Sequence, residues 1–220
     1  MCANRKARQA EKVIKRRGNI GYFLFQNRKP MYLFFDTETT GLPRNWRSPV
    51  TDLENWPRLV QLAYRAFDAD GHPLCSGDAL IKPEGFLIPP DAARIHGITT
   101  ERAEREGKPL QELLQKFYDL AAEADVVVAH NIRFDEKIVG AELLRAGMEN
   151  ILASKRKICT MERTTDFCAI PGPYGYKWPK LAELYYSVFG TEFVELHDAA
   201  LDVEATAKCF WELKRRGLIE

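Results

Sequence analysis

Two carboxylates stand close together at the end of an apolar run. Asp36 directly follows Met31–Phe35 (MYLFF), a run typical of a buried strand, and Glu38 comes two residues later. Because residues i and i+2 of a strand face the same side, the two charges repel each other unless a cation or a bound proton offsets them. Such a pair can hold a divalent metal ion. Taken alone, the segment is equally typical of a polar strand end in water.

Two further segments place carboxylates near the starts of predicted helices. Asp135 falls in the first turn of the helix that follows the apolar run Val126–Ala129, where the helix dipole stabilises a negative charge. Asp198 is the predicted N-cap of the last helix, so that His197 precedes this helix and Asp202 lies in its first turns. The first segment alone is more typical of an ordinary helix start, and the second is ambiguous in isolation.

Hydrophobic patterning predicts the elements that must bring these segments together. Predicted strands are Met31–Phe35, Arg58–Phe67, Leu74–Ile81 and Val126–Ala129, and predicted helices are Pro89–His96, Thr99–Arg105, Leu110–Ala124, Ile132–Ala146, Leu181–Phe189 and Ala199–Lys214. A hairpin turn at Asp70–Pro73 makes the first three strands antiparallel, and strand–helix alternation follows. A loop is predicted at Pro171–Gly175. The predicted fold is α/β, with a mixed central sheet flanked by helices, antiparallel in its first three strands and then parallel.

The charge of the chain is unevenly distributed. Its 220 residues carry a net charge of +1, yet residues 1–30 hold nine Lys or Arg and one acid, a net +8, whereas residues 31–220 hold 23 bases and 30 acids, a net −7. The sequence thus predicts a basic N-terminal extension at residues 1–30 ahead of one domain at residues 31–220. This asymmetry indicates a nucleic-acid or anionic-surface partner. A solvated, flexible tail explains the extension equally well.

Composition excludes several classes of protein. The five cysteines are odd in number and include no C-x-x-C spacing, which disfavours a disulfide framework and a zinc ribbon and favours a reducing cytoplasm. No apolar run approaches the roughly 18–20 residues of a membrane span. No apolar stretch of about 7–15 residues follows the basic N-terminus, so a secretory signal is not supported. We therefore expect a cytoplasmic protein without a membrane partner.

Taken together, the acidic segments resemble a known enzyme superfamily. FFDTETTGLP, HNIRFD and HDAALDVEAT are similar, in this order, to the three motifs of the DnaQ-like (DEDD) 3′–5′ exonucleases, and RIHGIT resembles a further stretch of that superfamily. Its histidine branch, DEDDh, carries a His five positions before the last Asp, as His197 precedes Asp202; its tyrosine branch carries a Tyr where Asp198 stands. The resemblance spans about Met31–Phe210 and implies a ribonuclease H-like fold.

The resemblance also implies a catalytic site. It assigns Asp36, Glu38, Asp135 and Asp202 as ligands of two divalent cations and His197 as the general base, and all five are expected catalytic residues. Oxygen-only ligands favour Mg²⁺, with Mn²⁺ as a substitute. Two such ions can clamp the attacking water and the leaving oxygen of a phosphodiester. The implied product is a 5′-mononucleotide released from a 3′ end.

Candidate substrate contacts follow from the same motifs. Four residues in or beside them are expected to bind the terminal nucleotide: Thr39, Thr40, His96 and Asn131. Lys177 and Lys180 flank Trp178 near the expected mouth of the site and are candidates for phosphate contact. For the two lysines, ordinary solvation is the favoured interpretation. Trp178 is as typical of packing as of stacking on a base.

The expected function is metal-dependent 3′–5′ hydrolysis of single-stranded or frayed ends, of DNA rather than RNA. Trimming of RNA by the same residues is the alternative. A non-catalytic nucleic-acid-binding protein on this fold is disfavoured because all five catalytic positions are intact. Glu220 closely follows the last predicted helix, without the tail with which proofreading subunits of this superfamily bind the polymerase. A stand-alone or loosely associated enzyme in DNA repair or turnover is therefore favoured, without excluding proofreading.

Overall fold

A five-stranded sheet forms the centre of the protein. The computed structural model describes residues 29–193 and 197–219. The strands of the sheet are β1 (Tyr32–Thr39), β2 (Leu59–Phe67), β3 (Pro73–Leu80), β4 (Val126–Ala129) and β5 (Arg156–Cys159), in the order β3-β2-β1-β4-β5. β1 pairs antiparallel with β2, and β2 with β3, whereas β1–β4 and β4–β5 are parallel. The predicted mixed α/β sheet is confirmed.

Helices cover the sheet. They are α1 (Pro90–His96), α2 (Thr100–Glu106), α3 (Leu110–Glu123), α4 (Ile132–Arg145), α5 (Thr160–Arg163), α6 (Thr165–Cys168), α7 (Leu181–Phe189) and α8 (Ala199–Arg215), with a 3₁₀ turn at Ile151–Ser154. In the part of the chain that the structure describes, no helix is both long enough and apolar enough to cross a bilayer. The predicted basic extension lies outside the described residues, apart from positions 29 and 30.

Alternate side chains of β1 enter two separate cores. Leu33 and Phe35 are buried in a cluster that includes residues of α3 and α4. Tyr32 and Phe34 are buried on the opposite face with residues of α7 and α8, and the ring of Phe34 lies 5.2 Å from that of Phe210. Side chains alternate along a strand, so β1 also sends the polar residues beyond Phe35 alternately towards these two layers.

β1 continues four residues beyond its predicted end at Phe35 and includes the acidic pair. Asp36 is in register with Ala63 of β2 and Glu38 with Gln61. The polar composition of residues 36–39 alone indicates a strand end. Pairing with β2 nevertheless extends the strand through them, because tertiary pairing overrides a weak local preference. The pair is thus held on rigid backbone at the edge of the core.

The segment after β4 is richer in structure than its sequence indicates. β5, α5 and α6 are each four residues long, and the loop predicted at Pro171–Gly175 contains a small hairpin of β6 (Pro171–Gly172) and β7 (Gly175–Tyr176). Elements this short show no hydrophobic period that a sequence could display. Apart from β1, the longer elements match their predicted bounds to within about two residues.

Candidate active site

At the end of β1, where the two carboxylates lie, consecutive side chains point towards opposite helical layers. Asp36 and Glu38 share the face of Phe34, which packs towards α8, whereas Thr37 between them faces α4. The buried Thr37 hydroxyl donates a 2.7 Å hydrogen bond to Oδ1 of Asp135. The end of β1 therefore connects the residues expected from the first two motifs.

Asp135 is a carboxyl group in an unfavourable place for a charge. It lies in the first turn of α4 with only 3% of its surface exposed. Burial, with a smaller contribution from the nearby Asp202 carboxylate, raises its pKa to about 7, although the hydrogen bond from Thr37 acts in the opposite direction. A cation at this point would remove the penalty on the ionised form.

The start of α8 supplies the third segment. The Asp198 side chain accepts hydrogen bonds from the amides of Ala200 and Leu201 at 2.9 and 3.3 Å, which confirms its predicted role as N-cap. The cap places Asp202 in the first turn, where it is buried. His197 precedes the cap in the left-handed region, at φ 48°, a conformation uncommon for a residue with a side chain.

One cavity collects these side chains. It has a volume of about 180 Å³ and is lined by Asp36, Thr37, Glu38, His130, Asn131, Phe134, Asp135, Leu181, His197 and Asp202. Potential ligand atoms of Glu38, His197 and Asp202 all lie within 4.8 Å of one another. Four carboxyl groups in so small a space form an oxygen-rich donor set, which fits a hard divalent cation. The five expected catalytic residues, far apart in sequence, thus come together.

The two threonines expected to contact substrate do not line this cavity. The Thr39 hydroxyl donates to the carbonyl of Gly41 at 2.7 Å, and the Thr40 hydroxyl accepts from the amide of Arg58 at 2.9 Å. The Thr40 amide in turn donates to the Arg58 carbonyl at 2.9 Å. Both side chains therefore fasten the chain where it leaves β1, and their contact with substrate stays a prediction.

His96 is likewise bonded within the protein. It is buried, its Nδ1 accepts from the amide of Ile98 at 3.2 Å, and its Nε2 lies 3.2 Å from the carbonyl of Thr39. Because a carbonyl only accepts, Nε2 carries the proton and the ring is neutral. Burial lowers the pKa of His96, and the nearby His197 acts in the same direction. His96 therefore holds the end of β1, whereas Asn131 does line the cavity.

The two lysines that flank Trp178 both contact Glu183. Lys177 forms a 2.6 Å ion pair with Glu183 of α7, which also accepts from the Lys180 amide at 2.7 Å. Trp178 between them is 57% exposed. These contacts agree with the favoured interpretation that the lysines belong to a solvated surface.

Sequence reasoning missed four residues that line the cavity, namely Thr37, His130, Phe134 and Leu181. Thr37 stands inside the Asp-x-Glu pair, and its intermediate position predicts that it faces the other helical layer. His130 and Phe134 stand inside the HNIRFD segment. His130 Nε2 donates to the carbonyl of Pro179 at 3.0 Å, which fixes the chain just before Leu181 to the end of β4.

Comparison with known proteins places this chain in a family. Residues 33–210, which include all five converging residues, match the RNase_T exonuclease family. The chain belongs to this exonuclease family. The resemblance to the DnaQ-like 3′–5′ exonucleases is thereby confirmed, and the sheet has the ribonuclease H-like fold.

The proteins that this chain matches are considerably longer than the chain itself. It is 31% identical over 177 residues to the PolC-type DNA polymerase III of Streptococcus suis (strain 98HAH33), covering 80% of this chain and 11% of that polymerase. The Pediococcus pentosaceus polymerase is 28% identical over 184 residues, again with 11% of its length covered. E. coli exonuclease I in complex with a dA16 oligonucleotide has the same fold, with a TM-score of 0.68 at 22% identity over 86% of this chain and 41% of that one. The chain thus spans about a tenth of the length of these polymerases and less than half of exonuclease I.

Acid is expected to destabilise the folded chain through His130. Burial lowers the pKa of His130 to about 4, whereas an unfolded chain has the ordinary value of about 6.5. As the pH falls below 6.5, the unfolded state takes up a proton that the folded state does not, so the free energy of unfolding decreases until about pH 4. A difference of this size corresponds to about 3 kcal/mol.

Urea unfolding at pH 7.0 and pH 4.5 measures this effect. His130→Gln should lose less stability between the two pH values than the wild type, whereas His72→Gln, at an exposed histidine in the β2–β3 turn, should lose as much as the wild type. Equal losses of unfolding free energy for His130→Gln and the wild type would contradict the lowered pKa of His130 as the cause.

Proposed function

We propose that this chain is a metal-dependent 3′–5′ exonuclease that removes 5′-mononucleotides from single-stranded DNA. The observation that carries the proposal is the convergence of four carboxyl groups and His197 on one cavity, in a chain that belongs to an exonuclease family. E. coli exonuclease I, which shares the fold, is described in complex with DNA oligonucleotides, and the PolC-type relatives are DNA polymerases. These similarities favour DNA over RNA as the substrate of this chain.

The carboxylates give the site its cation-binding capacity. Asp36, Glu38, Asp135 and Asp202 together carry four negative charges when ionised, which two divalent ions balance. Mg²⁺ is the expected ion and Mn²⁺ the expected substitute, because every proposed ligand atom is a carboxylate oxygen. The ions would supply charge neutralisation at the scissile phosphate. The Thr37 hydroxyl keeps the Asp135 carboxyl in a fixed orientation.

His197 is the proposed general base. It is exposed at the edge of the cavity, close to Glu38 and Asp202, and a neutral imidazole nitrogen can accept a proton. It would take one proton from the water that attacks phosphorus. The bond between phosphorus and the 3′ oxygen of the preceding nucleotide then breaks, and this oxygen gains a proton from solvent. The phosphate stays on the released nucleotide, which is a 5′-monophosphate.

The proposal predicts a defined pattern of products. Incubation of 5′-labelled oligo-dT with Mg²⁺ or Mn²⁺ should give a ladder that shortens by one nucleotide at a time, and EDTA should abolish it. A phosphorothioate at the last linkage should slow the first step, while the same modification at the 5′ end should have no effect. The matched RNA oligonucleotide should be degraded more slowly. Internal fragments or an intact 3′ end would contradict the proposal, and faster loss of RNA would support the RNA-trimming alternative.

A further inference from the structure

The long connection between β1 and β2 is fixed although it contains no helix or strand. Across its neck, the Asn45 amide donates to Oδ1 of Asn55 at 2.7 Å, and Nδ2 of Asn55 donates back to the Asn45 carbonyl at 3.0 Å. The indole of Trp56 donates to the Pro49 carbonyl at 2.9 Å. These bonds close the connection into a compact loop, here called the β1–β2 loop (residues 40–58).

Side chains of helix α4 hold this loop by hydrogen bonds to its backbone carbonyls. Lys137 donates to the Ser48 carbonyl at 2.8 Å, and Arg145 donates to the Trp56 carbonyl at 2.7 Å. Arg145 also pairs at 2.9 Å with the fully buried Glu142. Because α4 also carries Asp135, the loop and the cavity are held by one rigid element.

Trp46 packs against a residue of the cavity wall. Its ring centroid is 5.6 Å from that of Phe134, with the planes inclined by 44°, and Phe134 lines the cavity. Half of Trp46 nevertheless remains exposed, at 52%. An anchored loop therefore presents an open aromatic surface beside the site where the 3′ end is proposed to react. Every nucleic-acid base offers a face that can stack on such a surface.

Two arginines flank this tryptophan. Arg44 and Arg47 are both exposed, and within residues 29–193 and 197–219 neither forms an ion pair. The domain to which they belong carries a net charge of −7 over residues 31–220, with four of its acids in the cavity. Positive charge next to this cavity is suited to contact with phosphates of a strand that the rest of the domain repels.

We propose that Arg44–Arg47 is a binding element for the single strand whose 3′ end enters the cavity. Trp46 stacks on a base near the 3′ end, and Arg44 and Arg47 contact the phosphates beside it. The inference rests on the proposed function and names the residues that select its substrate. It also predicts a preference for single strands, because a paired base stacked in a duplex has no free face for Trp46.

Binding and catalysis of four variants test the proposal. Anisotropy of 5′-labelled dT15 in EDTA measures affinity for an intact strand, and steady-state hydrolysis with Mg²⁺ gives kcat and KM. Trp46→Ala should weaken binding and raise KM by about tenfold, since one base stack is worth this much, with kcat within about twofold. Trp46→Phe should restore most of the affinity. A merely structural Trp46 would instead lower the melting temperature and kcat together.

The arginines are tested by the salt dependence of binding. The double variant Arg44→Glu/Arg47→Glu should reduce the slope of log affinity against log salt by about 1.4, because each phosphate contact with a single strand contributes about 0.7. The control Arg102→Glu/Arg105→Glu changes the net charge equally on exposed positions of α2 and should keep the wild-type slope. Wild-type affinity in Trp46→Ala, or equal slopes in the two double variants, would overturn this inference. Cleavage of the strand by the wild type would still support the proposed function. A wild type that binds dT15 through these residues but never cleaves it would overturn the function alone.

Discussion

Asp36→Asn is expected to lower kcat on single-stranded DNA by at least about 10³-fold, because charge stabilisation by bound cations contributes several kcal/mol to phosphodiester hydrolysis. Asp36 stands on β1 in the cavity with Glu38, Asp135 and Asp202, and the amide keeps the shape of the side chain but removes its charge. Single-turnover cleavage of 5′-labelled oligo-dT over a range of Mn²⁺ concentrations measures the loss. The stabilisation that Mn²⁺ gives to the melting temperature should shrink in parallel.

The matched control for this variant is Asp119→Asn. Asp119 is an exposed carboxylate on α3, and its loss should leave both kcat and the response to Mn²⁺ at wild-type values. Without added metal, Asp36→Asn should be at least as stable as the wild type, because it removes one of several like charges in a small space. Wild-type activity in Asp36→Asn would show that this cavity is not the reaction site.

His197→Ala is expected to lower kcat by about 10²–10⁴-fold, the usual contribution of a general base, with KM unchanged. The proximity of His197 to Glu38 and Asp202 allows a second role, as a ligand of the cation, and the two roles have different consequences. Loss of a base leaves the Mn²⁺ concentration for half-maximal activity unchanged. Activity should then recover in part as the pH rises, because hydroxide needs no base.

Two outcomes distinguish a general base from a metal ligand at His197. Added imidazole should rescue His197→Ala if the missing group is a base. A marked rise in the Mn²⁺ requirement, without recovery at high pH, would instead assign His197 as a ligand. His72→Ala provides the control, since His72 is an exposed histidine in the β2–β3 turn and its loss should change neither kcat nor the Mn²⁺ concentration for half-maximal activity.

Much of the fold was predictable because its signals are local. The apolar run Val126–Ala129 and the periodic helix Leu181–Phe189 have the predicted bounds in the structure. Asp198 caps α8 as its residue type and position indicate. Such features depend on backbone preferences and on hydrophobic periods within a few residues, which any window of the sequence displays. The order of the three acidic motifs also predicts the family, because each motif is informative only in combination with the others.

The roles of single polar side chains were less predictable. Thr39 and His96 stand in or beside recognisable motifs, yet they bond within the protein at the end of β1. Thr37, a single residue inside the acidic pair, instead reaches Asp135. Sequence position cannot distinguish these outcomes, because one step along a strand moves a side chain to the opposite layer of the fold.

The sequence by itself thus determined the family, the mixed α/β sheet and the five residues expected to react. Only the tertiary structure decided that Asp36 and Asp202 share a cavity with Asp135, that Asp135 is buried, and that Trp46 packs on Phe134. The physical reason is the separation along the chain. Local forces specify each helix and strand, whereas sheet order and the packing of helical layers bring side chains about 90 to 170 positions apart into contact.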